Sequence, residues 1–318
     1  MKTINHLPSL HESTAEEETQ YHRAPLLHPR PQETPNARRR PFRALVLALV
    51  LGLAAQIIVF AAAAIIAALM GAEVETTVLS DDPNNVTSNT ILLLSLAAIV
   101  VVPFFAARIA RYQSRFIFSV VGRIRWGIVG VAAAVSLAIS GAGQVIAYAT
   151  GGGAEFRTLE SQDFIFLAAV LVLVPFQAAG EEVFARGFLP QIFGHWFKSP
   201  WIAYLPGALL WIALHGYNSW GTVTIAYSAI LYAILVHKTG GLEAVIAIHT
   251  INNYFAFAQQ VFIVIEDPDT IPWEAAVYDM VTTTITVGVV YLCVRRLVSV
   301  STPHHASNAS SSMKLKRP

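Results

Sequence analysis

The sequence predicts an all-α fold, a polytopic membrane helix bundle of about eight transmembrane helices. Three observations predict it. Of the 318 residues, 55% are hydrophobic and only 13% are charged, whereas an ordinary soluble domain is roughly a quarter charged. Uncharged stretches such as the 28 residues from Ala44 to Gly71 and the 22 from Ala244 to Ile265 exceed the ~18 to 20 apolar residues that cross a bilayer. These stretches lack the alternation of a barrel strand, and backbone groups in lipid must be satisfied within their own segment, which leaves helices.

Eight spans are read in order, at approximately 44–70, 90–107, 126–148, 164–190, 200–216, 220–236, 241–262 and 275–294. The charges agree with that number. The N-terminal tail, the 108–125 loop with its five arginines, the 186–199 segment, Lys238 and the C-terminal tail hold 20 of the 21 Lys and Arg. The alternate loops carry Glu73, Glu75, Asp81 and Asp82, then Glu155, Glu160 and Asp163, then Glu266, Asp267, Asp269 and Glu274, with Arg157 as their sole basic residue. Basic loops stay on the cytoplasmic side, so both termini are expected there. Residues 1–43, with Glu16 to Glu18, many prolines and Arg38, Arg39, Arg40 and Arg43, show no apolar period that could bury a face and read as a disordered tail. The first apolar run begins too late and is too long for a secretory signal. Residues 299–318 read as a second tail, leaving 44–298 as the helical domain. A formal net charge of +1 gives no reason to expect a nucleic-acid partner. The single cysteine, Cys293, excludes an internal disulfide and Cys-based metal sites.

Several residues do not belong in lipid. The fourth span reads FIFLAAVLVLVPFQAAGEEVFARGFLP, so Glu181, Glu182 and Arg186 interrupt an apolar helix. Each costs several kcal/mol at depth unless it is paired or faces water. Glu182 and Arg186 stand at i and i+4 and suit a mutual ion pair, whereas Glu181 points about 100° away and is left free by that geometry. A carboxylate in a poorly solvated place accepts a proton near neutral pH more readily than an exposed one. The plainer alternative is a pair of charges at the helix end. In the fifth span Trp211 and His215 lie one turn apart, so the indole can pack on the imidazole; an interfacial histidine beside Tyr217 and Trp220 reads equally as part of an aromatic belt. In the seventh, His249 and Asn253 share a face, a pattern that also serves interhelical hydrogen bonding. Burying such groups from three helices in one bundle without a shared purpose would be costly, so a common site is expected.

These residues resemble a known family. Glu181-Glu182-x-x-x-Arg186, Trp211-x-x-x-His215 and His249-x-x-x-Asn253 are similar in spacing and order to the three motifs of the CPBP intramembrane proteases, the CaaX protease and bacteriocin-processing (Abi) family. The likeness covers about residues 160–260. Trp211 stands where the family usually has Phe, and Ala185 where it usually has an aromatic residue. The resemblance implies peptide-bond hydrolysis inside a membrane, with Glu181 activating water alongside His215, and His249 with Asn253 stabilising the oxyanion. Glu182, Arg186 and Trp211 would support the site or contact the substrate. It implies a membrane-associated or lipidated peptide or protein as substrate, and an integral protein of a bacterial plasma membrane with the lipid bilayer as its surroundings. No metal is expected, although Glu181, His215 and His249 with a water would be an acceptable zinc set.

Two other function classes remain open on the sequence: a transporter using Glu181, Glu182, Arg186 and His249 for a proton or solute, and a non-catalytic immunity or scaffold member of the family. The absence of a visible internal repeat speaks against the transporter. The rhomboid Gly-x-Ser-Gly and the aspartyl Gly-x-Gly-Asp patterns are missing. Depth raises a difficulty. At ~1.5 Å per residue, Glu181 lies ~26 Å from Phe164, His215 lies ~21 Å from Trp201 and His249 lies ~12 Å from Gly241, so the three helices must shift for the groups to meet.

Overall fold

The computed structural model describes residues 20–27, 39–80, 82, 85–149, 155–264 and 270–301. The rest of both predicted tails, and Asp81, Glu266, Asp267 and Asp269, lie outside the described residues. Eight long or apolar helices occur where hydropathy predicts them: α1 Arg40–Leu69, α2 Val86–Ala110, α3 Trp126–Ala149, α4 Ser161–Phe193, α5 Pro200–Ala213, α6 Ser219–Thr239, α7 Glu243–Phe262 and α8 Trp273–Ser301.

The eight helices differ in length and polarity. Six of the eight are both long and apolar enough to cross a membrane. Helix α5 has 14 residues, ~21 Å at 1.5 Å per residue, less than the ~30 Å hydrocarbon core. Helix α7 is long enough, but His249, Asn252, Asn253, Gln259 and Gln260 make it too polar. Helix α5 packs on the last turns of α4 and on α6, and α7 packs on α3 and α4; they bring Trp211 and His249 to the charged groups of α4.

Helix α4 is the centre of the bundle. It packs on α2 along one side and α7 along another, while its last turns meet α5; α3 lies against α7 and α8, and α6 against α8 and α5. At the acidic end α4 starts in a capping box, with the Glu160 amide donating to Asp163 Oδ2 at 2.8 Å. A short antiparallel contact there joins the chain before α4 to the end of α7, through Arg157 N to Phe262 O at 3.0 Å and Val264 N to Glu155 O at 2.9 Å.

The basic end is held more firmly. Arg125, at the start of α3, grips Glu243 at the start of α7 with two parallel hydrogen bonds of 2.8 Å, Nε to Oε1 and Nη2 to Oε2, and gives Nη1 to the Thr239 carbonyl at 2.9 Å. Both side chains are buried, a setting in which bidentate geometry offsets the desolvation of the charges. The neighbouring backbone adds Val120 N to Gly240 O and Leu242 N to Phe118 O, each at 2.9 Å. Gly240 makes the turn with φ +66°, a region glycine enters without penalty. The clasp fixes where α7 begins, and His249 follows six residues later, under two turns away.

The N-terminal segment also departs from the expected tail. Tyr21–Arg23 and Ala24–Leu27 form a short helical turn with Tyr21 and His22 fully buried. The Tyr21 hydroxyl donates to the Ile117 carbonyl, and His22 Nε2 lies 3.0 Å from the Lys198 carbonyl. The His22 carbonyl packs so closely on Gly194 that a Cβ there would sit 2.0 Å from it. Two large rings burying against the 111–125 segment and the end of α4 compensate for the missing apolar period.

Burial, with His237 and Arg23 nearby, pushes the His22 pKa below its ordinary value, and the bond to the Lys198 carbonyl offsets this only in part. A histidine neutral when docked supports docking fully above its ordinary value of ~6.5 and loses that support as the pH falls towards the lowered value. Hydrogen exchange of residues 20–27, corrected for intrinsic rates, is therefore expected to quicken between about pH 7.5 and pH 5.5 in the wild type and to stay level in His22→Gln. An equal change in both would assign the effect to another group.

Candidate functional site

The site is built outward from two consecutive glutamates on α4. After Glu182 the helix widens into a π-turn over Val183–Phe188 before resuming as Leu189–Phe193. Such turns are rare and occur mostly at functional sites. Helix α5 presses directly against it: a Cβ on Gly207 would lie 2.0 Å from the Ala185 carbonyl, so no larger residue fits there. That approach brings Trp211, one turn further along α5, over the π-turn.

Glu182 is completely buried, and its Oε1 accepts two hydrogen bonds of 2.8 Å, from Arg186 Nη1 and from His249 Nδ1. The expected i, i+4 pair is thus formed, with a third partner from α7. Arg186 is 2% exposed, and its guanidinium carbon lies 3.9 Å from the centre of the Trp211 ring and 5.3 Å from that of Tyr232. Two aromatic faces stabilise the cation. The pairing is single-pointed: Glu182 Oε2 and Arg186 Nη2 are buried without a hydrogen-bond partner among the described residues.

Glu181 is not left free, as helix geometry alone suggested. Gln177, one turn earlier, donates Nε2 to Glu181 Oε1 at 2.5 Å, and Trp211 donates its indole N–H to Oε2 at 3.0 Å. The side chain remains 15% exposed, and His249 Nε2 lies 3.8 Å from Oε2. Because Glu182 Oε1 already accepts from a guanidinium, it acts as an acceptor towards the imidazole also, so His249 Nδ1 carries the hydrogen. Nε2 of a neutral ring then offers a lone pair towards another acceptor, at a separation beyond direct hydrogen bonding.

The structure brings Glu181, Glu182, Arg186, Trp211 and His249 together. Asn253 joins through a different residue, donating Nδ2 to Gln177 Oε1 at 2.8 Å. His215 packs on Trp211 as expected, with ring centres 4.9 Å apart, but its Nδ1 faces the Trp211 carbonyl at 2.7 Å rather than a glutamate. Among the described residues no three His, Cys, Asp or Glu side chains converge to hold a metal ion. The zinc set of Glu181, His215 and His249 is not assembled by this geometry.

The difference in depth is met by Trp211, which stands between His215 and Glu181. Counted from the basic end, Glu181 lies ~18 Å from Phe193 and Trp211 ~17 Å from Pro200, so these two meet, while His215, four residues beyond Trp211, stays about one turn higher and contacts Trp211 instead of Glu181. Sequence reading missed Gln177 and Tyr232. The first was detectable, since an amide one turn before Glu181 in an apolar run meets the criterion that selected the glutamates. A tyrosine such as Tyr232 is ordinary in a membrane helix and gives no signal.

The ion pair makes a specific prediction. Arg186→Met leaves Glu182 buried without its guanidinium and should cost about 3–5 kcal/mol of stability in detergent, whereas adding Glu182→Gln should restore part of the loss. Simple additivity in thermal unfolding would show that the two side chains are not coupled.

Comparison with known proteins follows the same segment. Residues 163–255 match the family model described as Type II CAAX prenyl endopeptidase Rce1-like. The chain is 33% identical over 109 residues to a Bacillus subtilis (strain 168) protein named Uncharacterized protein YyaK, which covers 32% of this chain and 36% of that one. The chain thus spans about a third of the length of the curated relative it matches. No solved structure matches it.

Proposed function

We propose that the protein is an intramembrane endopeptidase that hydrolyses a peptide bond of a membrane-associated or lipidated peptide or protein, a reading supported by the match of residues 163–255 to the model of Rce1-like type II CAAX prenyl endopeptidases. The observation that carries the proposal is the facing pair Glu181 Oε2 and His249 Nε2, 3.8 Å apart. A water beside this pair can donate to Glu181 Oε2 and to the Nε2 lone pair of a neutral ring. Glu181 takes a proton from the water, whose oxygen attacks the scissile carbonyl carbon, and the proton then passes to the leaving amine. The developing oxyanion needs donors already in place; Asn253 keeps one Nδ2 hydrogen beyond that given to Gln177, and His249 lies beside the same space. His215, on the exposed side of Trp211, serves at the water-facing edge. Glu182 and Arg186 hold His249 and Trp211 in position, a role supported by the burial of both charges. The proposed route uses no metal.

Glu181→Gln keeps the shape of the side chain but removes the base, and His249→Ala removes the ring facing it. Each is expected to lower proteolysis by on the order of 10²-fold or more with the protein still inserted. Glu181→Gln retaining more than about half the activity would place water activation elsewhere, and a non-catalytic role would show no cleavage to lose.

The proposal includes orientation: the arginine-rich end faces the cytoplasm, as do both termini. Reporters fused in the 72–80 segment are expected to read as external and those in the 111–124 segment as cytoplasmic. The reverse at either position would overturn the orientation.

A further inference from the structure

Gln177 lies outside all three motifs, on the α4 face that meets α7, and is 4% exposed. Its amide orientation is fixed by chemistry: an ionised carboxylate only accepts, so the Nε2 end must face Glu181. The opposite end, Oε1, is thereby turned to α7, where it takes the Asn253 Nδ2 hydrogen at 2.8 Å. One side chain thus joins a carboxylate on α4 to an amide on α7. The joined groups are the two that the hydrolase reading assigns to opposite tasks, water activation and oxyanion binding.

We propose that Gln177 is a positioning residue that fixes the spacing and orientation of Glu181 relative to Asn253, without itself touching the substrate. The inference rests on the function proposed above and deepens it. With Gln177 on Oε1 and Trp211 on Oε2, the plane of the Glu181 carboxylate is set by two donors from different helices. A glutamate without them samples several rotamers, and the ordering must then be achieved during the reaction. Asn253 is on another helix, so its distance from Glu181 follows every relative movement of α4 and α7 unless a link spans the two. Catalysis tolerates little of this, since a displacement of about 1 Å can cost on the order of 10²-fold in rate. A polar bridge that only glued helices together would stabilise the bundle equally well without involving the base.

The test uses the full-length protein in detergent or lipid, with Gln177→Met, Asn253→Ala, their combination and Glu181→Gln. Gln177→Met keeps volume and removes both hydrogen bonds; if it fails to insert, Gln177→Asn, too short to span both partners, takes its place. The expected result is a kcat lowered ~10 to 10²-fold with KM changed less than about twofold. The combined variant should be no worse than the weaker single one, because both break the same link. A kcat within about threefold of wild type, or losses that multiply in the combination, would overturn the positioning role while Glu181→Gln still reports the hydrolase reading. Should Glu181→Gln cleave as well as wild type, that reading fails by itself. The link is then judged by thermal midpoints: non-additive lowering by Gln177→Met and Asn253→Ala supports it, and additive lowering rejects it.

Discussion

The arrangement depends on one carboxylate oxygen. Glu182 Oε1, fully buried, accepts at 2.8 Å from both Arg186 and His249. A charge so far from water is tolerated only if its partners are fixed, because separating any of them leaves an uncompensated ion. That requirement carries through three helices. Arg186 holds Trp211 of α5 under its guanidinium, His249 ties α7 to α4, and Trp211 returns to α4 by donating to Glu181. The neighbouring glutamate inherits its surroundings from this network, so the buried Glu182 and the partly exposed Glu181 have different partners although they are adjacent in sequence.

The remainder of the fold brings these groups to one height. The Arg125–Glu243 clasp sets the first residue of α7, and with it the level of His249. The extension of α4 to Phe193 and the close approach at Gly207 bring α5 to the same level. Of the polar groups on α7, His249 bonds to Glu182, Asn253 to Gln177 and Gln259 to Gln144, so neighbouring helices satisfy them.

Much of this was legible in the sequence. Hydropathy located all eight helices, since the ~20-residue requirement of a bilayer is a strong constraint, and intramembrane charges located Glu181, Glu182 and Arg186 because lipid makes them expensive. The spacing of Trp211 and His215 predicted that their rings pack together, and they meet edge to face. What stayed hidden involves contacts between distant segments. The approach of Tyr21 to Ile117, the grip of Arg125 on Glu243, and the π-turn after Glu182 have no periodic signature. Glu181 was read as free because i, i+4 geometry sees one helix at a time, whereas one of its two donors comes from α5. The same limit hid the partner of Asn253: the interhelical hydrogen bond that its position allows is made to Gln177, on another helix.

The central claim is that Glu182 orients His249 so that Nε2 faces Glu181. Selective ¹⁵N labelling of histidine, with the His249 signals assigned by their loss in His249→Ala, measures this directly through the protonation of each ring nitrogen. The account predicts a hydrogen on Nδ1 and a bare Nε2 for His249 in the inserted wild-type protein. A bare Nδ1, with the hydrogen on Nε2 alone, would contradict it, because the ring could then neither donate to Glu182 nor present a lone pair beside Glu181.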